Sequence, residues 1–323
     1  MFLNNYFIFA LGVTAASGAF AQGAGNFPSR PLRFIVPYAA GGNGDIVARI
    51  VAQKLSAQIG QSVVIDNRAG AGGNIGAELA AHAAPDGYTL VLGTNTHAIN
   101  MSLYARPGYD FERDFAPITR TTSAPMVLIV HPGLPAKTLK EFIALAKAQP
   151  GKLNFATGGN GSSAHVITEL FATMAGVRMT HVAYKGVAQA TTDLIAGQIQ
   201  LSFNSTSTAL AHMQAGRVRG LGISTATRSP AAPQLPTIAE AGVPGFDASI
   251  WQGMLAPART PIPIITRLNR ETVAALQAGD VKEQLRAQGI DATPSTPAAF
   301  AAFIKTEIAR WAQVIKAAGA KAG

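Results

Sequence analysis

The sequence predicts an α/β fold built on parallel sheets that helices cover on both faces. Short β-rich segments alternate with amphipathic helical patterns along most of the chain. The predicted strands are continuous apolar runs, which is typical of strands buried on both faces. The chain has 323 residues, of which 48% are hydrophobic and 13% are charged. That length suits two domains of ordinary size better than one.

The alternation runs from one end of the chain to the other. Residues 32–38 are predicted as a strand, and residues 45–59 as a helix whose apolar side chains form one stripe. The other predicted strands are residues 62–66, 88–94, 126–131, 153–157, 179–182, 199–204, 218–224 and 248–257. The other predicted helices are residues 74–82, 138–148, 162–175, 188–196, 263–278, 281–288 and 297–318.

The first residues have the pattern of an export signal. Residues 2–20 contain no charge, and residues 6–13 form a short apolar run. Small residues follow and end in Ala19-Phe20-Ala21, so we expect cleavage after Ala21. The run is shorter than the ~20 residues that a bilayer crossing needs, which favours a cleaved signal over an anchor. The pattern departs from the usual one in a single respect, because no Lys or Arg precedes the apolar run.

Composition excludes several classes of function. The chain contains no cysteine, which rules out thiol catalysis and cysteine-ligated zinc or iron–sulfur sites. The net charge is +9 and the pI is about 10. However, Lys and Arg are scattered rather than gathered in a stripe, so nucleic-acid binding is not predicted. A positive field of this kind favours encounter with small anions.

A glycine-rich turn between the first strand and the first helix, residues 36–45, is the strongest local signal. Glycines allow the backbone N–H groups to approach a ligand, and a helix start leaves N–H groups without intrahelical partners. The helix dipole favours negative charge at the same place, so the segment predicts an anion site. The alternative is an ordinary capped turn with Asp45 as the N-cap.

A second loop, residues 154–163, repeats the design in the other half of the chain. Thr157, Ser162 and Ser163 add hydroxyl groups that can donate hydrogen bonds to a carboxylate. Ser162 could instead simply cap the following helix. Two such loops in different halves of the chain fit a cleft that holds an anion from both sides.

Enzyme motifs are absent from the sequence. Residues 70–76 are rich in glycine, but their spacing departs from G-x-G-x-x-G, and no P-loop lysine motif occurs. Residues 161–165 do not form a G-x-S-x-G nucleophile elbow. The six histidines include no H-E-x-x-H pair. We therefore predict no catalytic residue, no metal and no cofactor, and we place His97 in the loop after the 88–94 strand.

Several motifs resemble those of the solute receptors of tripartite tricarboxylate transporters, the Bug family of extracytoplasmic receptors. The resemblance covers residues 28–318. It is carried by residues 31–42, 67–76, 85–90, 114–118, 181–186 and 236–246. The segments His181-Val-Ala-Tyr-Lys-Gly186 and Pro236-Thr-Ile-Ala-Glu240 are the most diagnostic.

The resemblance implies a two-lobed periplasmic-binding-protein fold of type II, with a ligand cleft between the lobes. Residues 28–125 would form the first part of lobe 1, residues 126–248 lobe 2, and residues 249–323 the return to lobe 1. The implied function is a non-enzymatic periplasmic receptor that acts as a monomer. Its partners would be a small carboxylate and either membrane transporter subunits or a sensor protein. The alternative function is that of an α/β enzyme that acts on carboxylates.

The resemblance also implies the site. Family members hold one carboxylate with the two loops described above, through backbone N–H groups, hydroxyls and bridging waters. The residues at the matching positions here are Tyr38, Ala39, Gly42, Asp45, Thr157, Gly158, Asn160, Ser162 and Ser163. The residues expected at the far end of the ligand are Asn95, His97, Lys185, Asn204 and Ser205.

Two of these far-end residues bear on specificity. Many members carry Asp at the position of Asn204, and a neutral amide there removes a partner for a ligand ammonium group. We therefore expect a di- or tricarboxylate, aromatic ones included, rather than an amino acid. Lys185 could meet a second carboxylate at the rim of the cleft, or it could be a solvated loop residue.

Overall fold

Two mixed sheets joined by one long strand form the framework of the protein. The computed structural model describes residues 27–159, 162–184 and 186–318. The predicted export signal lies outside these residues, as do Asn160 and Lys185. No helix in the described ranges combines the length and apolar character that a membrane crossing requires.

The strands and helices of the described ranges alternate as predicted. The strands are β1 (Leu32–Val36), β2 (Val63–Asn67), β3 (Thr89–Thr94), β4 (Phe115–Val130), β5 (Asn154–Thr157), β6 (Thr180–Ala183), β7 (Leu201–Ser205), β8 (Arg219–Ile223), β9 (Ser249–Pro257) and β10 (Asp291–Ala292). The helices are α1 (Asn43–Ile59), α2 (Asn74–Ala81), α3 (Asn95–Leu103), α4 (Leu139–Ala148), α5 (Ser163–Ala175), α6 (Val187–Ile195), α7 (Thr206–Gln214), α8 (Ile238–Ala241), α9 (Ile262–Gln277), α10 (Gly279–Ala287) and α11 (Pro297–Ala318).

The first sheet has the strand order β2-β1-β3-β9-β4-β10. β1 runs parallel to β2 and β3, whereas β9 runs antiparallel to both of its neighbours, β3 and β4. Consecutive apolar side chains of β1 point to opposite faces of the sheet. Phe34 packs with α1 and α9, and Ile35 packs with the cluster that includes α2, α3 and α11. Helices therefore cover both faces of this sheet.

The second sheet has the order β8-β4-β7-β5-β6. β5 pairs in parallel with β6 and β7, and the end of β4 runs antiparallel to β7 and β8. Val127 packs with α6 and α7, while Leu128 belongs to the cluster that includes α4 and α5. The two-lobed α/β fold is therefore confirmed, with antiparallel neighbours only where the crossing strands pass.

The crossing between the lobes is made of ordered strands. β4 pairs with β9 over residues 115–125 and with β7 and β8 over residues 126–130. Ser224, which is fully buried, forms hydrogen bonds with both of the segments that pass from one lobe to the other. Its Oγ accepts from the Met126 N–H at 2.9 Å and donates to the Ala248 carbonyl at 2.6 Å. The predicted lobe limits at residues 126 and 248 stay a prediction.

Parts of this framework differ from the sequence-based expectation. The strand expected at residues 126–131 begins at Phe115, and the structure adds the helices α3, α7 and α8. Proline lacks a backbone N–H and is therefore unusual inside a strand, yet β4 contains Pro117 and Pro125. Pro117 lies at a register shift in the β4–β9 pairing, and Pro125 pairs with Ser249 at the crossing, so both are accommodated.

The last helix, α11, contacts both lobes. It packs against α3 of the first lobe and α5 of the second, as well as against β4. Beneath it, the Oε2 atom of Glu307 accepts hydrogen bonds from the Trp251 indole N–H at 2.8 Å and the Trp311 indole N–H at 3.0 Å. All three side chains are buried, so this carboxylate fastens α11 to β9 inside the largest apolar core.

Candidate functional site

A cavity of about 250 Å³ lies between the two lobes, beside the carboxyl ends of β1 and β3. Ligands of open α/β sheets bind at this end of the strands. The cavity is lined by Tyr38, Gly42, Asn43, Gly44, Thr94, Asn95, Thr96, Ile250 and Gln252 of the first lobe and by Ser163 of the second. Asn95 Nδ2 donates to Ser163 Oγ at 3.1 Å, so the two lobes touch across it.

A larger cavity of about 400 Å³ lies between α11 and the loop after β8. Its charged lining residues are Arg120, Arg228, Arg310, Asp247, Asp291 and Glu307. Its described lining contains none of the predicted ligand residues. The cavity between the lobes is therefore the candidate site, since Gly42 and Ser163, one from each predicted anion loop, both line it.

The first anion loop ends in an uncapped helix start. The N-cap of α1 is Gly42, which has no side chain that could accept a hydrogen bond from the helix start. The first helical hydrogen bond runs from the Ile46 N–H to the Gly42 carbonyl at 3.0 Å. The N–H groups of Asn43, Gly44 and Asp45 come before that first helical bond and have no intrahelical acceptor. Gly41 has a φ of 81°, a left-handed conformation that favours glycine. The loop thus presents N–H groups and the positive end of a helix dipole at the cavity.

The Asp45 side chain shapes this loop from inside the lobe. It is buried, and its carboxylate accepts from the Gly41 N–H at 2.9 Å, Arg49 Nε at 2.9 Å and Asn67 Nδ2 at 3.0 Å. The hydrogen bond from Arg49 is the main reason that the pKa of Asp45 falls to about 2. The carboxylate stays ionised and paired at neutral pH. Only the backbone of Asp45 is left to meet an anion.

Tyr38 closes the other side of the first loop. Its hydroxyl shares a 2.6 Å hydrogen bond with Thr94 Oγ1, and its carbonyl accepts from Asn67 Nδ2 at 3.0 Å. Burial raises the pKa of Tyr38, so its hydroxyl remains protonated. Ala39, by contrast, is exposed on the loop. The aromatic ring is thus a fixed wall of the cavity.

The second anion loop is held by side chains that turn back into their own lobe. Ser162 is the N-cap of α5, and its Oγ accepts from the His165 N–H at 3.3 Å. Thr157 is buried, and its Oγ1 contacts the Gly159 backbone and His181 Nε2, the latter at 2.6 Å. Gly158 lies against Val187 of α6. Ser163 is therefore the described side chain of this loop that lines the cavity.

Two stacked histidines support the second loop from below. The rings of His165 and His181 lie 3.9 Å apart at an angle of 11°, and Phe155 stacks on His181 at 4.8 Å. Burial lowers the pKa of both imidazoles, that of His181 to about 4, so both are neutral at neutral pH. Neither histidine was among the residues predicted for the site from the sequence.

The far-end residues that the structure describes do not all line the candidate cavity. Asn204 is buried in its own lobe, where its Nδ2 donates to Thr191 Oγ1 at 3.0 Å. Ser205 caps α7 and lines a cavity of about 140 Å³ that adjoins the candidate site, since Asn43 and Ile250 line both. His97 is fully buried within α3 rather than in a loop, which corrects the prediction. Of this group, Asn95 alone lines the cavity between the lobes among the described residues.

Comparison with known proteins assigns the family. A sequence model described as the tripartite tricarboxylate transporter family receptor matches residues 47–320. The chain belongs to this receptor family. BugT of Bordetella pertussis is 39% identical over 315 residues, which cover 96% of this chain and 97% of BugT. The resemblance inferred from the motifs is thereby confirmed.

Solved structures agree with the assignment. A Rhodopseudomonas palustris protein solved with adipate is 39% identical, covers 91% of this chain and 98% of its own, and has a TM-score of 0.77. MatC from the same species, solved with bound malate, is 33% identical, with 90% and 100% coverage and a TM-score of 0.74. The receptor family is thus shown by sequence and by fold.

Six of the residues that line the cavity were missed from the sequence, namely Asn43, Gly44, Thr94, Thr96, Ile250 and Gln252. Gln252 of β9 is buried, and its Nε2 donates to Asn43 Oδ1 at 2.6 Å. Gln252 is a polar side chain in the apolar run predicted for residues 248–257. That exception to an otherwise apolar strand was the available signal, because a buried amide is retained where it has a partner.

The buried His97 makes the stability of the receptor depend on pH. Its Nδ1 accepts from the Thr94 N–H at 3.0 Å, and burial lowers the pKa of His97 to about 4 from 6.5. The unfolded chain therefore binds this proton more strongly than the folded one. We expect His97 to make the free energy of unfolding fall by about 3 kcal/mol as pH decreases from 6.5 to 4.

Urea unfolding of the native receptor and of His97→Gln at pH 7.5 and 4.5 checks this expectation. Gln at the third helical position preserves a capping box but does not titrate. The variant should therefore lose less stability between the two pH values than the native chain. Equal losses in the two proteins would contradict the assignment of this pH dependence to His97.

Proposed function

We propose that this receptor captures a small di- or tricarboxylate in the periplasm and delivers it to the membrane subunits of a tripartite tricarboxylate transporter. The observation that carries the proposal is the meeting of two helix starts at one cavity. Asn43 and Gly44 of α1 and Ser163 of α5 come from different lobes and line the same space. Each helix start attracts an anion, so a carboxylate between them would draw the lobes together.

The chemistry of the cavity supports binding rather than turnover. Its described lining residues supply hydroxyls, amides and backbone N–H groups but no charged side chain. No nucleophile with an adjacent base is among them. Two relatives were solved with adipate and with malate, both dicarboxylates. We propose that this chain likewise binds without bond chemistry, through contacts that are stronger in the closed state.

The proposal includes export of the chain, its oligomeric state and the limits of its lobes. Residues 1–21 would be removed by cleavage after Ala21, and the remaining chain would act as a monomer. Residues 28–125 and 249–323 would form one lobe, and residues 126–248 the other. Asn160 and Lys185 would complete the rim of the cleft from the second lobe.

A thermal-shift screen of the purified mature protein tests the function. Aliphatic and aromatic mono-, di- and tricarboxylates and amino acids are added singly, without metal. A ligand that binds only the folded state at 100 times its Kd adds about 2.7 kcal/mol of stability, which raises Tm by roughly 5 °C. We expect saturable stabilisation by one class of di- or tricarboxylate.

Two outcomes would contradict the proposal. Stabilisation by amino acids alone would exclude a dedicated di- or tricarboxylate receptor. Conversion of the stabilising acid into another compound, followed by mass spectrometry, would favour an enzyme. To separate transport from sensing, deletion of the genes for the membrane subunits of the transporter should abolish uptake of the radiolabelled ligand.

A further inference from the structure

The cavity of about 400 Å³ between α11 and the loop after β8, the rear cavity, lies on the opposite face of β9 from the candidate site. Ser249 of β9 lines the rear cavity, whereas the next residue along the strand, Ile250, lines the candidate site. Consecutive strand residues point to opposite faces, so β9 separates the two cavities. The rear cavity can therefore hold a ligand at the same time as an acid occupies the candidate site.

Both sheets contribute walls to the rear cavity. Arg120 of β4 and Asp291 of β10 come from the first sheet, and residues 225–230 follow β8 of the second sheet. In this structure the lobes touch across the candidate site through Asn95 and Ser163. A ligand that fits the rear cavity as it is built here therefore favours the arrangement in which the lobes touch.

Two of the three arginines that line the rear cavity already have acidic partners. Arg310 lies 3.1 Å from Glu307, which also lines the cavity. Arg228 lies 2.9 Å from Glu240, which is not part of the described lining. These two guanidinium groups are neutralised by the protein itself and do not call for a ligand.

The third arginine, Arg120, forms no ion pair with any residue in the described ranges. Its guanidinium lies 4.8 Å from the centre of the Phe303 ring, and its Nε is buried without a hydrogen-bond partner. Burial lowers the pKa of Arg120 despite the nearby charges of Asp247 and Glu307. The rear cavity thus contains one partly buried positive charge that the protein does not fully compensate.

Two carboxylates of the same lining are likewise without an ion pair among the residues that the structure describes. Asp247 is exposed, and its Oδ1 accepts from the Ala226 N–H at 3.0 Å. Asp291 is half-buried, and burial raises its pKa although the charge of Arg286 acts in the opposite direction. The uncompensated groups of the rear cavity are therefore one guanidinium and two carboxylates.

Water can form hydrogen bonds with these three groups, but it brings no opposite charge to any of them. A complementary ligand carries one carboxylate and two cationic groups. A basic α-amino acid such as lysine has this set of charges. Its carboxylate would pair with Arg120, and its two ammonium groups would pair with Asp247 and Asp291. Such pairs are stronger in a partly enclosed cavity than on an open surface, because the effective dielectric constant is lower.

We propose that the rear cavity is a second site, which binds a basic α-amino acid together with the acid in the candidate site and stabilises the arrangement in which the lobes touch. The site itself goes beyond the proposed function, and only its coupling to acid binding rests on that function. By thermodynamic reciprocity, each ligand increases the affinity for the other by the same factor.

Isothermal titration calorimetry with lysine and three analogues tests the second site. Norleucine lacks the side-chain ammonium group, 6-aminohexanoate lacks the α-ammonium group, and cadaverine lacks the carboxylate. Lysine should bind at least about 10-fold more tightly than each analogue, since each analogue leaves one charge of the cavity unpaired. Absence of lysine binding, or an analogue that binds as tightly as lysine, would overturn the inference. The titration needs no acid, so its result stands even if every acid fails to bind and the proposed function is wrong.

Acid titrations with and without saturating lysine test the coupling. The best acid of the thermal-shift screen should bind at least about 3-fold more tightly when lysine is present. Weaker binding of the acid would mean that lysine competes for the candidate site, which would overturn the second site. An acid affinity that lysine leaves unchanged would overturn the coupling between the two cavities.

Neutral variants test which residues are responsible. Arg120→Gln and Asp291→Asn each remove one charge and should weaken lysine binding at least about 10-fold. Both should keep the acid affinity measured without lysine within about 2-fold of the native value. The control is Arg270→Gln, at an exposed arginine of α9 outside the cavity lining, which should bind lysine as the native chain does. Unchanged lysine affinity in both cavity variants, with Tm values that show folded protein, would overturn the site.

Discussion

We expect Ser163→Asp to weaken carboxylate binding by at least about 100-fold. Ser163 is the first residue of α5, lines the cavity and contacts Asn95 of the other lobe. An aspartate there would place a negative charge beside the ligand carboxylate, and two such charges 4 Å apart repel by about 4 kcal/mol at an effective dielectric constant of 20. The fold should persist, because an acidic residue in the first turn of a helix is favourable. Calorimetric titration with the best acid from the screen measures the effect.

A matched variant separates the local charge from the change in net charge. Ala298→Asp adds the same charge to the exposed first turn of α11. Its affinity should stay within about 2-fold of the native value, because distant surface charges are screened by salt. If Ser163→Asp binds the acid as tightly as Ala298→Asp does, the carboxylate cannot lie at the start of α5.

The second large effect concerns stability. We expect Glu307→Leu to lower the free energy of unfolding by about 4 kcal/mol. The change leaves the indole N–H groups of Trp251 and Trp311 buried without an acceptor and removes the ion-pair partner that lies 3.1 Å from Arg310. Each unsatisfied buried donor costs about 1–3 kcal/mol. The partly exposed Arg310 guanidinium loses its partner as well, which adds less because water can still reach it. Urea unfolding at pH 7 measures the loss.

Two further variants serve as controls for this experiment. Glu307→Gln retains an acceptor oxygen for the indoles and should cost less than half as much as the leucine. Glu283→Leu changes an exposed acidic residue of α10 and should alter stability by no more than about 0.5 kcal/mol. A loss below about 1 kcal/mol in Glu307→Leu would mean that the two tryptophans find other acceptors.

The fold could be predicted largely because its signals are local. Strands such as β1 are uninterrupted apolar runs, and α1 carries a clear apolar stripe. α3 was missed because its first residues are polar and resemble a loop. Its capping box depends on an imidazole at His97, where a Glu or Gln side chain is the usual signal. The first half of β4 was missed because its prolines argue against a strand.

The site could be predicted only in part, for a related reason. Glycine-rich turns and helix starts are local, so the sequence located the two loops whose residues Gly42 and Ser163 line the cavity. The direction of a side chain depends on partners that are distant in the chain. Thr157 turns toward His181, and Gln252 meets Asn43 across 209 positions of sequence. Neither pairing has a local signal, so side chains such as Thr157 and Asn204 were expected at the ligand although their described contacts lie within their own lobe.

The uninterrupted passage of β4 from one sheet to the other limits how the receptor can open. A continuous strand can bend and twist, but its hydrogen bonds to β9 on one side and to β7 and β8 on the other resist sliding. We therefore expect the two lobes to have few relative degrees of freedom and to open and close along a narrow arc. An open molecule restricted in this way would lose little entropy on closing. A few hydrogen bonds to one small acid would then be sufficient to stabilise the closed state.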